Sequence, residues 1–195
     1  MIQGHDFNSL PLEDLEYDAH FVELELLEQL KREIFEMLPA FQVEQIPKED
    51  GWIPTPRLIA SFSDRQFDLP GARPSIPVPD SVRRLCEAVS VRTAHPFNYV
   101  LTNWYRDGRD FTGWHPDKAH FHEPDSKIAV VSLGAVRHFL VRDQVTKRPR
   151  ADIAVAEGSL LLMSMALQGY TEHTIPPVDT EIGPRVSLTL RQLRT

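Results

Sequence analysis

The chain has one cysteine, Cys86, so no disulfide can form within it, and a reducing compartment such as the cytoplasm is the expectation. It has no internal repeat and no low-complexity tract, so it reads as an ordinary globular chain. Long hydrophobic runs are missing too. The greasiest stretch, "GSLLLMSMAL", is ten residues, about half of the ~20 that a membrane-spanning helix requires. The opening "MIQGHDFNSLPLEDLEYD" has neither a basic start nor an apolar segment, so no signal peptide is expected. Bases are scarce at one end only. Residues 1–50 carry 13 acids against 3 bases, whereas residues 51–195 carry 15 acids against 18 bases. The net charge of −7 therefore belongs to the leading segment, and the remainder is mildly basic. The run "RHFLVRDQVTKRPR" (137–150) sets Arg137, Arg142, Lys147, Arg148 and Arg150 against Asp143 alone. It is read either as a phosphate-contacting patch or as a solvated hairpin.

What is present is an ordinary globular composition, 42% hydrophobic and 25% charged, of a length suited to one domain. Apolar residues at Phe21, Leu24, Leu27, Leu30, Ile34 and Leu38 recur three or four apart, predicting an amphipathic helix stopped by Pro39. "PDSVRRLCEAVS" predicts a second helix capped by Asp80 or Ser81, with Val82, Leu85, Cys86 and Val89 inward. "PRLIASFS" (56–63) between them reads as a strand. After about residue 96 the texture changes to short β-branched and aromatic runs: "FNYVLTNWY", "SKIAVVSLG", "VRHFLVR", "ADIAVAE", "GSLLLMS" and "RVSLTLRQL". Helices followed by many short strands predict an α+β fold, with a sandwich or barrel buttressed by N-terminal helices. The proline-dense "IPKEDGWIPTP" and "LPGARPSIPVP" read as loops.

The densest chemistry is "GWHPDKAHFHEPD" (113–125). His115 and Asp117 are two apart, so on extended chain they share a face and can hold one cation. His173, in "GYTEHTIPP", is the best third ligand. Two imidazoles and one carboxylate leave three coordination positions open, which suits non-haem Fe(II). A rival site through His120, His122 and Glu123 is disfavoured, because a glutamate directly after the second histidine points to the opposite face of a strand. His120 and His122 are accordingly read as loop residues, His5, His20 and His95 as surface histidines, and His138 as a half-buried strand residue. In "RVSLTLR", Arg185, Ser187, Thr189 and Arg191 alternate with Val186, Leu188 and Leu190. Two guanidiniums and two hydroxyls make a poor core face and a good one for a small dianion. A straight strand separates the arginines by about 20 Å, so the two would hold opposite ends of one ligand only on a coiled strand. Asn103 and Tyr105 share a face of "NYVLTNWY" in the same way.

The ordered blocks N-W-Y, W-H-x-D, S-L-G-A-x-R-x-F, G-S-L-L-x-M, H and P-R-V-x-L-T-x-R, over about residues 56–193, resemble the AlkB family of Fe(II)- and 2-oxoglutarate-dependent dioxygenases. The likeness is to the branch that repairs alkylated bases in nucleic acid. It implies a double-stranded β-helix (jelly-roll) core over 96–195, with 1–95 as a helical, substrate-side extension of the same domain. It also implies Fe(II), 2-oxoglutarate and dioxygen as cofactors, with His115, Asp117 and His173 on the metal. Arg185, helped by Tyr105, would take the distal carboxylate of 2-oxoglutarate, and Asn103 and Arg191 the proximal one, with Ser187 and Thr189 on the same strand. The implied reaction is oxidative demethylation of bases such as 1-methyladenine and 3-methylcytosine in DNA or RNA. Succinate, carbon dioxide and formaldehyde are the products, and the enzyme is expected to be a cytoplasmic monomer without membrane association.

Three features depart from that pattern. Ser187 stands where asparagine is common, Lys118 and Ala119 follow H-x-D where acids are common, and the segment expected to supply a base-stacking aromatic is "FDLPG", with only Phe67. The candidates for substrate contact are Trp52, Phe62, Phe67 and Lys118. Two further readings fit the chain: a related 2-oxoglutarate dioxygenase acting on a protein or small molecule, favoured by the acidic leading segment, and a catalytically idle nucleic-acid-binding jelly roll.

Overall fold

A computed structural model describes residues 13–48, 51–67, 74–118 and 121–194. His5, most of "FDLPG" and His120, one of the rival site's three residues, lie outside the described residues.

Alternation builds the core. The major sheet has six antiparallel strands in the order β1 (Leu15–Asp18), β10 (Leu160–Ser164), β7 (Lys127–Gly134), β12 (Arg185–Arg191), β5 (Tyr99–Tyr105) and β4 (Leu58–Phe62). One face carries Val100, Ala129, Val131, Leu133, Leu160, Leu162, Val186, Leu188 and Leu190. That face is covered by α1 (Leu24–Glu36) and α2 (Asp80–Thr93), which contribute Leu30, Ile34, Val82, Leu85 and Val89. The minor sheet runs β6 (Thr112–His115), β11 (Thr171–Ile175), β8 (Arg137–Asp143) and β9 (Pro149–Val155). It packs on the other face of the major sheet, where Tyr105, Ile128, Val130, Leu161 and Met163 meet Phe139, Val141, Val155 and Ile175. Two antiparallel sheets closed face to face, with helices outside, form the expected jelly roll. Two of the major sheet's six strands, β1 and β4, come from the leading 95 residues.

Several local expectations are corrected. The first helix spans Leu24–Glu36 and ends in a 3-10 turn at Leu38–Ala40. Its buried stripe centres on Leu30 and Ile34, while Leu24, in the first turn, is 74% exposed. The second helix has Pro79 at its N-cap and no side-chain cap of its own. Instead Glu33 of α1 accepts from the Ser81 N–H at 3.0 Å, satisfying a free donor at the N-terminus of α2. "IPKEDGWIPTP" is not a plain loop but contains a hairpin, β2 (Gln45–Lys48) with β3 (Gly51–Pro54). Strands β6 and β11 show no apolar alternation, because "TGWH" and "TEHTI" are mostly polar or small on both faces.

The turn from β7 to β8 depends on Gly134. Its φ is +87°, and a Cβ there would stand 2.5 Å from the Pro184 carbonyl oxygen. Both the left-handed backbone and the collision penalise any side chain. Gly134→Ala is expected to cost about 2 kcal/mol or more and to lower the thermal midpoint by roughly 4–8 °C. An unchanged midpoint would show that the turn relaxes freely.

Candidate active site

The three separated ligand candidates come together through strand register. In the pairing of β11 with β6, His173 lies directly opposite His115, and their rings stand 4.4 Å apart, centre to centre. Asp117, two residues beyond His115, brings its Oδ2 to 3.8 Å from His173 Nε2. Asp117 and His173 are buried and His115 is half-buried. Phe139 stacks on His173 at 4.9 Å and 20°, fixing the plane of that ring. His115 Nδ1 is 2.8 Å from the Gly113 carbonyl. A carbonyl only accepts, so Nδ1 carries a proton, which in the neutral ring leaves the lone pair on Nε2. Gln168, buried in the turn before β11, accepts from the Asp117 N–H at 2.9 Å.

Charge is concentrated around this cluster. Burial alone would raise the Asp117 carboxyl, but the Arg191 guanidinium beside it, then His173 and His115, hold it down at about 2. Arg191 donates to Asp117 Oδ1. Burial, reinforced by His115, pushes His173 down to about 3, so its imidazole is neutral at pH 7 and ready to donate a lone pair.

The pocket running inward from the cluster is lined by β12 and β5. Arg185, Ser187, Thr189 and Arg191 face into it, as do Asn103 and Tyr105. Arg185 is 1% exposed. Its Nη2 donates to Ser132 Oγ at 2.9 Å, while Nε and Nη1 have no partner among the described residues. Asn103 is held at both ends, accepting from Arg57 Nε at 2.7 Å and donating toward Ser187 Oγ at 3.4 Å. The Tyr105 hydroxyl is 2.8 Å from Thr112 Oγ1.

Residues 61–191 match the 2OG-Fe(II) oxygenase superfamily. The chain is 37% identical over 156 residues to the DNA oxidative demethylase ALKBH2 of Mus musculus, covering 73% of this chain and 64% of that protein. Against the DNA oxidative demethylase ALKBH2 of Homo sapiens the identity is 34% over 182 residues, covering 87% and 68%. The chain belongs to the AlkB family of 2OG-Fe(II) oxygenases. It spans about two thirds of the length of these relatives. The solved structure of OsALKBH1 shares the fold, with a TM-score of 0.61 at 16% identity, covering 92% of this chain and 98% of that one.

Membership of this family implies Fe(II), 2-oxoglutarate and dioxygen, and the residues present fit that set. Two imidazoles and a carboxylate are the donors that a non-haem Fe(II) takes. A buried guanidinium with two unpartnered nitrogens is a ready seat for a carboxylate. Among the described residues no three histidine, cysteine or acidic side chains are closed into a ready metal site; the three ligand candidates are adjacent, and Asp117 Oδ1 accepts from Arg191.

Other expectations fare differently. None of Trp52, Phe62, Phe67 and Lys118 lines the pocket. Phe62 is fully buried between sheet and helices, because β4 turns it to the helix side, and it cannot meet a substrate. Phe67 packs edge-on against Tyr99 at 5.8 Å. Trp52 is 69% exposed on the hairpin, and Lys118 is exposed beside Phe121. His138 is exposed, not half-buried, and pairs with Asp152 at 2.6 Å. His122 is buried at a bridge to Leu193. The basic run is not one patch: Arg137 is buried, and Arg142 and Lys147 share Glu172.

Sequence reasoning missed Arg57, Phe139 and Gln168. The inward phase of β4 pointed to Arg57, two residues before Ile59 and on the same face. Nothing local marks Gln168, whose role exists only once the β10–β11 turn folds against Asp117.

The depressed His173 gives a pH signature. An unfolded chain protonates this imidazole near 6.5, whereas the folded one stays neutral down to about 3. The unfolded state thus binds more protons in that window, and stability falls as pH drops through it. Asp117, with its ordinary value of 3.8 lowered to about 2, adds a loss of the same sign at lower pH. In thermal melts of metal-free protein between pH 6.5 and 4, the wild-type midpoint is expected to fall more steeply than that of His173→Gln. Parallel slopes would mean that the ring protonates in place.

Proposed function

We propose that this chain is an Fe(II)- and 2-oxoglutarate-dependent dioxygenase that oxidatively demethylates N-alkylated nucleobases, such as 1-methyladenine and 3-methylcytosine, in DNA or RNA. The observation that carries the reading is the convergence of His115, Asp117 and His173 beside the buried guanidinium of Arg185, two of whose nitrogens have no hydrogen-bond partner among the described residues. The two ALKBH2 relatives, each named a DNA oxidative demethylase, supply the substrate class.

In this reading His115, Asp117 and His173 hold the metal, His115 through Nε2 because its Nδ1–H is spent on Gly113. When bound, iron with 2-oxoglutarate and dioxygen supplies oxidative decarboxylation to succinate and carbon dioxide and the hydroxylation of an N-methyl carbon; the resulting hemiaminal releases formaldehyde and the restored base. The chain's own residues bind and orient. Arg185 takes the distal carboxylate by a charge-assisted hydrogen bond, and the aromatic ring of Tyr105 lies alongside it. Arg191 and Asn103 serve the carboxylate nearer the metal, with Ser187 and Thr189 lining the wall. Phe139, Val130, Leu101 and Ile175 keep the pocket apolar between these polar groups.

A base must leave its stack to reach such a pocket, and an exposed aromatic favours that step. Trp52 is proposed for stacking and Lys118 for a phosphate, with Phe67 as a supporting edge. The chain is proposed to act as a single-domain monomer, its first 95 residues serving the substrate side. Among the described residues no helix is long and apolar enough to cross a membrane, and the lone cysteine suits a cytoplasmic setting.

Succinate release measured with and without a methylated oligonucleotide tests the reading. Turnover is expected to rise only when 1-methyladenine or 3-methylcytosine is present. Release stimulated instead by a protein or small molecule would favour the related-hydroxylase alternative, toward which the acidic leading segment points. Tight DNA binding without succinate would favour an idle binder. Asp117→Ala is expected to abolish turnover, because the sole carboxylate ligand is lost. Arg185→Ala should raise the 2-oxoglutarate requirement about 10- to 100-fold with nucleic-acid affinity little changed; the opposite pattern would remove Arg185 from the cosubstrate pocket.

A further inference from the structure

A second buried guanidinium lies behind the pocket and has no task in the reading above. Arg137, the first residue of β8, is 1% exposed, as fully buried as Arg185. Its Nη2 donates to the carbonyls of Asp110 at 2.9 Å and Pro176 at 2.6 Å, and its Nη1 to that of Asp107 at 3.2 Å. The carboxylates of those same aspartates are turned elsewhere, Asp110 to Arg106 at 2.8 Å and Asp107 to Arg109 at 2.6 Å. Arg137 thus has dipoles around it and no carboxylate in contact among the described residues, and its Nε has no hydrogen-bond partner there.

Its neighbour on the inner side is Tyr105. The Arg137 guanidinium carbon stands 5.6 Å from the centre of that ring, and the Arg185 guanidinium carbon 5.2 Å from the same centre. Two buried cations therefore lean on one phenol, and no anionic side chain of the described protein contacts either of them. Such a grouping is unfavourable until something negative completes it.

Resting on the cosubstrate reading above, we propose that Arg137 is a positioning residue for the dianion: the rear half of a two-cation seat whose front half, Arg185, makes the contact. Arg137 sits one ring further back and raises the positive potential at the distal carboxylate without touching it. Its three carbonyl partners hold the charge in place. Asp107 and Asp110 belong to the loop leading into β6, and Pro176 directly follows β11, so the same fork also ties together the two strands that carry His115 and His173. A unit charge about 10 Å away through a medium of effective dielectric near 20 alters affinity on the order of tenfold.

The test compares 2-oxoglutarate with 2-oxopentanoate, which has a methyl group in place of the distal carboxylate, binding to the full chain loaded with Mn(II). Wild-type protein should prefer 2-oxoglutarate strongly. Arg137→Gln, which keeps a neutral donor for the carbonyls, should weaken 2-oxoglutarate on the order of tenfold and 2-oxopentanoate less than about twofold. Arg137→Lys, which keeps the charge, should retain most of the preference. Equal weakening of both ligands, or equal behaviour of the Gln and Lys variants, would make Arg137 a packing staple and overturn the proposal. If the Gln variant does not fold, the wild type loaded with Zn(II) decides the matter. Its Arg137 Nε–H resonance should shift with 2-oxoglutarate more than with 2-oxopentanoate, and equal shifts would overturn the proposal. A wild type that does not distinguish the two acids would instead sink the cosubstrate reading itself.

Discussion

The pairing of His173 with His115 across β11 and β6 is the constraint from which the site follows. In a sheet the side-chain period is two, so a slip of one residue would turn His173 outward and Glu172 inward. Nothing in the ladder hydrogen bonds forbids such a slip. What forbids it is the next layer: Phe139 stacked on one imidazole, the Gly113 carbonyl on the other, and Ile175 and Val141 buried against the major sheet. The neighbouring strand β12 obeys the same logic. Its leucines and valine seal the helix side, so its arginines and hydroxyls have only the pocket to face.

That arrangement places charge where folding alone would not. Arg185 and Arg137 are fully buried without carboxylate partners in contact, and His173 is held neutral well below its ordinary range. Each costs stability in the folded chain, and each would be relieved by a metal or an anion bound there. The Asp117 carboxylate is itself balanced by charge, with the Arg191 guanidinium on Oδ1 and the His173 ring near Oδ2. Concentrated local cost beside a well-packed frame is what a binding site looks like, as distinct from a core.

Much of this was legible in the chain because the two kinds of signal are both short-ranged. Alternation in "RVSLTLR" put Arg185 to Arg191 on one face, and the two-residue spacing of His115 and Asp117 put them side by side. Family resemblance then joined His173 to them, which spacing alone left as the best of several choices. The missing parts are those created by contact between distant segments. Gln168 acquires its role from a turn folding onto Asp117, and Glu33 caps a helix 48 positions away. Arg137 reads as surface charge in a basic run, yet it is buried, while on the same strand His138 is exposed and Arg142 half-buried. Phe62 was misassigned because an aromatic at the end of an edge strand looks the same in sequence whether it faces helix or solvent.

The most direct test of the account is a crystal structure of the chain grown with Mn(II) and 2-oxoglutarate under exclusion of oxygen. The account requires one ion shared by His115, Asp117 and His173, with the cosubstrate's distal carboxylate on Arg185. An ion held elsewhere, or a cosubstrate whose distal end lies away from Arg185, would contradict it.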